Sequence, residues 1–106
     1  MTTHRKSQQI IVASCYDKRG YLLSTAVNSY TKTHPKQAFH AAKVGHPLRC
    51  FLHAEIAAII KAKGKKIHKI KVERFGKRGN LLPSHPCPIC MSAIKAASVV
   101  SLEYTV

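Results

Sequence analysis

Apolar positions along the chain fall into short runs separated by turn-forming residues, and the length of each run suits one element. Ile10 to Tyr16 (IIVASCY) is short, apolar and β-branched, which predicts a buried strand. Asp17-Lys18-Arg19-Gly20 supplies turn chemistry, with Gly20 free to take positive φ. Tyr21 to Asn28 (YLLSTAVN) predicts a second strand, antiparallel to the first through that tight connection. A polar stretch from Ser29 to Pro35 leads into a short helix predicted over Lys36 to Val44, which Gly45 stops before Pro47. Phe51 to Lys63 (FLHAEIAAIIKAK) carries the strongest helix signal, rich in Ala, Leu, Ile and Lys, with Gly64 just past its end. Ile67 to Phe75 predicts a third strand with Ile70 and Val72 on one face, and Gly76 to Asn80 a turn. A second core helix is predicted from about Pro88 to Ala97, and a fourth strand from Val99 to Tyr104. The order β-β-α-α-β-α-β is that of an α/β domain. Its mixed four-stranded sheet would join a β-hairpin to a parallel βαβ unit with a right-handed crossover. Helices are expected over at least one face of the sheet.

At 106 residues the chain is expected to form a single domain over residues 1–106. A hydrophobic share of 45% excludes general disorder. No apolar run approaches the roughly 18 residues that span a bilayer. Met1 to Gln9 is polar and basic, without the apolar stretch of a secretory signal. The expectation is an intracellular, cytoplasmic protein with no membrane partner. In a reducing compartment the four cysteines point to metal binding or burial rather than disulfides. Cys15, inside an apolar run, is read as a core residue.

Charge changes this picture. Eighteen Lys and Arg stand against four acids, Asp17, Glu55, Glu73 and Glu103, for a net charge of +14. Such a field concentrates phosphate-bearing partners, whether nucleotides or single-stranded nucleic acid. Lys61 to Arg78 holds nine of the eighteen cations. It reads either as a solvated helix end and strand face or as a phosphate-guiding surface.

Two motifs carry candidate chemistry: His53-Ala54-Glu55 and Pro86-Cys87-Pro88-Ile89-Cys90. Each falls at the start of a predicted helix, with a strand between them. One imidazole and two thiolates would hold Zn2+ and leave a fourth tetrahedral position for water. Zinc lowers the pKa of such a water towards about 7. Helix amino termini favour the thiolates through exposed N–H groups and dipoles. Glu55, off the metal, would take a proton from the water and return protons to the ring and the departing amine. Residues two apart on a helix face different ways, so His53 and Glu55 must lie at the helix mouth to reach one pocket.

H-x-E followed by P-C-x-x-C is the signature of zinc deaminases. The chain resembles the cytidine deaminase superfamily, and within it the deoxycytidylate deaminase-like branch with its small phage-type members. The resemblance covers the hairpin, HAEIAAI, the intervening strand, PCPICMSAI and the last strand. It implies a cytidine-deaminase-like αβα sandwich and hydrolytic removal of an exocyclic amine, with deoxycytidylate as the first substrate. It also implies that Asn28 meets the substrate sugar and that the Ala54 N–H faces the reacting edge of the base. His85, next to Pro86, is a candidate pocket-lining residue; the other histidines (4, 34, 40, 46 and 68) read as surface or capping groups. HAEI and PCPIC also resemble tRNA adenosine and guanine deaminases, so the motifs do not fix the base. The chain departs from the family in lacking its long first helix, fifth strand and closing helices. The bare edge or face this leaves predicts a homo-oligomer.

Four alternatives compete. Cys50-x-x-His53 with Cys87-x-x-Cys90 has the spacing of a closed Cys₃His structural zinc site, which would leave Glu55 and Pro86 without a role. A thioredoxin-type pair at Cys87 and Cys90 lacks the surrounding context. The same chemistry could instead act on single-stranded DNA or RNA, with the base flipped into the pocket, or a catalytically dead zinc module could simply bind nucleic acid.

Overall fold

Alternation of small apolar and polar residues decides which face of the sheet is buried. The computed structural model describes residues 9–49 and 51–106. In the first strand, β1 (Ile10–Tyr16), Ala13 and Cys15 are fully buried while Val12, Ser14 and Tyr16 between them are only half-buried. An Asp17–Gly20 turn follows, in which the Asp17 carboxylate accepts from the N–H groups of Arg19 and Tyr21, both at 2.9 Å, and Gly20 takes φ +87°. The chain then returns as β2 (Leu22–Val27), antiparallel to β1 with Ala13 opposite Ala26.

Helix α1 (Pro35–Lys43) starts on Pro35, which has no N–H to lose. The His34 ring caps it by accepting from the Lys36 N–H at 3.0 Å. Helix α2 (Ala54–Lys61) is buried along most of its length and packs across β1 and β2. The Ser24 hydroxyl donates to the Ala58 carbonyl at 2.7 Å, fixing this helix on the hairpin. Strand β3 (Lys69–Phe75) pairs antiparallel with β1 and buries Ile70 and Val72. Helix α3 (Pro88–Ala96) packs against α1 and α2, and β5 (Ser101–Tyr104) returns parallel to β3.

Two expectations are corrected. The sheet has five strands, not four, because Leu81–Leu82 forms β4 antiparallel to Arg74 and Phe75. A two-residue strand is too short to show alternation, so the sequence pattern passes over it. Strands β4 and β5 therefore share one edge of β3, end to end.

The second correction concerns the layers. Apolar residues of the three helices and of β1, β2 and β3 join in one core. The opposite face of the sheet carries Ser14 beside Thr25, Lys69 above the Tyr16 ring, and Glu103 reaching Lys69 and Lys71 at 3.3 and 3.9 Å. These polar groups are satisfied facing water, and among the described residues no helix covers them. Among the described residues the α/β architecture shows two layers, and the αβα sandwich is not seen there. No helix among the described residues is long and apolar enough to cross a membrane.

Candidate metal centre

The two motifs become neighbours because each occupies the amino terminus of a helix on the same face of the sheet. His53 is the N-cap of α2 and Cys87 the N-cap of α3, and neither side chain caps its own helix. Both are free to turn towards each other. Pro88 at the first position of α3 fixes the backbone there, and Cys90 follows one turn on, fully buried. The His53 Nδ1 atom lies 3.2 Å from the Cys90 sulfur and 3.4 Å from the Cys87 sulfur. All three donor atoms lie within 4.8 Å of one another, a group that could hold a metal ion.

This donor set suits zinc in chemistry and spacing. Zn–N and Zn–S bonds in tetrahedral geometry separate a nitrogen from a sulfur by about 3.6 Å. The observed separations are a few tenths of an ångström shorter, a difference that small side-chain rotations absorb. Glu55 is 4% exposed and lines the same cavity, but it stands outside the metal-capable group. Cys50, the alternative fourth ligand, lies outside the described residues, as does His4.

Charge is shared tightly here. The hydrogen bond from Cys90, and then that with His53, lowers the Cys87 pKa to about 3. The same bond to Cys87, together with burial, pushes the Cys90 thiol up. Hydrogen bonding to Cys87 raises His53 against the opposing effect of burial. Burial raises the Glu55 carboxyl above its ordinary range.

Around these groups lies a cavity of about 130 Å³, whose walls include His53, Glu55, Arg74, Ser84, His85 and Cys87. His85 therefore does line the pocket, its ring edge-on to Tyr104 at 4.7 Å. Ala54 is buried at the first position of α2, where its N–H has no partner within the helix. Asn28 lies in an adjoining cavity, but its amide is engaged by the backbone. Its Oδ1 accepts from Ile11 N–H at 2.9 Å and its Nδ2 donates to the Gln9 carbonyl at 3.2 Å.

Several residues that hold the site escape sequence reasoning. Gln37, fully buried on α1, accepts from the His53 N–H at 3.1 Å and donates to the Arg49 carbonyl at 3.2 Å. It pins the start of α2 where the imidazole must point. Ser84, 6% exposed, donates to the Val72 carbonyl at 2.7 Å and accepts from the Thr105 N–H at 2.8 Å. It ties the segment before Cys87 to β3 and to the residue after β5. Arg74, one of the nine cations of the basic stretch, is held against Gln9 and the Pro83 carbonyl and faces the cavity.

His40 is a further correction. It is 2% exposed, with Nδ1 2.9 Å from the Ser92 hydroxyl, and burial lowers its pKa with help from Lys36 and Lys43. It is a neutral link between α1 and α3 rather than a surface group. The signal that could have found it is its place on the inner stripe of α1, beside Gln37 and Ala41.

No known family, curated protein or solved structure matches the chain.

Proposed function

We propose that this chain is a cytidine-deaminase-like, zinc-dependent hydrolase that removes the exocyclic amine of cytosine in a phosphate-bearing substrate, deoxycytidylate first. The observation that carries this reading is the pairing of a His-Cys-Cys donor group with a buried carboxylate that lines the same cavity but is not in that group. A structural zinc site has no use for such a carboxylate.

His53, Cys87 and Cys90 would hold zinc, which supplies Lewis acidity and makes a water reactive near neutral pH. Glu55 removes a proton from the attacking water and passes it to the ring nitrogen. Water oxygen adds to the amine-bearing ring carbon, the carbon–nitrogen bond breaks, and Glu55 hands the second proton to the leaving amine. Cytosine and water thereby become uracil and ammonia. The Ala54 N–H, at the start of α2 where the helix offers it no acceptor, would hold the polar edge of the base. Arg74 supplies a cation at the cavity for the substrate's phosphate.

The reading is tested by offering zinc-loaded protein deoxycytidylate, cytidine, guanine and a cytosine-containing single strand, and following ammonia and uracil. Glu55→Ala is expected to keep its zinc and lose at least about 10²-fold in rate. Full zinc loading with no product from any substrate refutes the reading.

A further inference from the structure

A second cavity, of about 380 Å³, opens beside the first and shares Ile11 and His53 with it. Its remaining wall is mainly apolar and aromatic, with Tyr30, Leu48 and Phe51 alongside the cation Arg49. Tyr30 is 45%, Phe51 48% and Leu48 92% exposed, a concentration of apolar surface that stays in contact with water. The chain has only three Phe, four Tyr and no Trp, so two of its seven aromatic side chains meet in this one place.

The Tyr30 ring and the Phe51 backbone are held in advance. The Tyr30 hydroxyl accepts from the Gln9 N–H and donates to the Gln9 carbonyl, each at 2.9 Å. The Phe51 backbone is bridged to Thr33. Rings already ordered lose little entropy when something stacks on them. A free nucleotide with its base in the smaller cavity has Arg74 for its phosphate and leaves Tyr30, Leu48 and Phe51 unused. A neighbouring base uses all three, because every base has an apolar π-face, while Arg49 and the +14 field meet the linking phosphate.

We propose that this cavity is a stacking subsite for the base next to the reacting one, so that the chain takes cytosine within a single strand as well as in the free nucleotide. The inference rests on the deaminase reading for the identity of the reacting base. Its test uses zinc-loaded protein and fluorescence anisotropy at fixed low salt. The probe is a five-nucleotide DNA with one cytosine among thymines, compared with the same strand made abasic at either position flanking the cytosine.

The expected result is a loss of affinity of at least about fivefold for one of the two abasic strands, the lower end of what one base–aromatic stack contributes. In Phe51→Ala the intact and abasic strands should bind alike, and Phe51→Trp should restore the difference. Equal binding of all three strands by the native protein overturns the proposal, as does a difference that survives in Phe51→Ala. Uracil formation in the same samples separates the two readings. Contrast without uracil removes the deaminase activity and leaves a base-stacking subsite; uracil without contrast removes the subsite and leaves the deaminase.

Discussion

Replacing Ser84 with alanine removes one hydroxyl and two hydrogen bonds, those with the Val72 carbonyl and the Thr105 N–H. The backbone bond from Ser84 N–H to the Thr105 carbonyl, 2.8 Å, survives the change. Each lost bond is worth about 1 kcal/mol net, and a buried group left without a partner adds to that, so the total comes to roughly 2–3 kcal/mol. Unfolding entropy of about 2.1 cal/mol/K per residue gives this 106-residue chain about 0.22 kcal/mol/K at the midpoint. Ser84→Ala should therefore lower Tm by about 9–14 °C. The assay is thermal unfolding followed by far-ultraviolet circular dichroism, on zinc-loaded protein and on protein stripped with a chelator. Zinc affinity, measured against a competing chelator, should fall too, because the segment leading to Cys87 loses its anchor. A shift in the stripped protein below about 3 °C would refute the assignment of Ser84 as the link between β3, β5 and the metal ligands.

Glu55→Gln should abolish turnover yet stabilise the metal-free protein by about 0.5–2 kcal/mol. Because burial raises the folded-state pKa of Glu55, the native state holds a proton that the unfolded chain releases. Stability is then greatest below the unfolded carboxyl value and falls as pH rises towards the folded one. The variant should lack that slope in urea titrations run from pH 4 to pH 8, and an identical slope in both proteins counts against the buried-carboxylate account. Asn28→Ala should cost about 1–2 kcal/mol with no ligand present, since both ends of its amide serve the backbone of Gln9 and Ile11. Unchanged urea stability combined with weakened substrate binding would assign Asn28 to the substrate instead.

Much of the fold is legible where one residue has a single good use. Asp17 with Gly20 marks the hairpin turn, and Pro35 and Pro88 mark helix starts to within a residue of those observed. The helix predicted from Phe51 begins three residues later, because His53 is the extended N-cap rather than an interior residue. That shift is what turns the imidazole towards the cysteines. Local pattern is silent on contacts made at long range. Gln37 and Ser84 are ordinary polar residues in sequence, and only the meeting of α1 with the N-cap of α2, or the pairing of β5 with β3, gives their hydrogen bonds a purpose. The three-layer sandwich implied by resemblance is likewise not seen among the described residues: the second face of the sheet mixes Ser14, Thr25, Lys69 and Lys71 with exposed Ile10, Leu22 and Val27, and no described helix covers it.

The shared edge of β3 has a consequence during synthesis on the ribosome. Arg74 and Phe75 find Leu82 and Leu81 as soon as the intervening turn has emerged. Lys69 through Val72 must wait for partners thirty-two positions downstream, Lys69 for Ser101 and Val72 for Tyr104. A nascent chain halted before that point presents the open backbone of this half-strand beside Ile70 and Val72, a template for pairing with other chains. Shortening the protein by its last strand would thus produce an aggregation-prone species rather than a smaller folded domain.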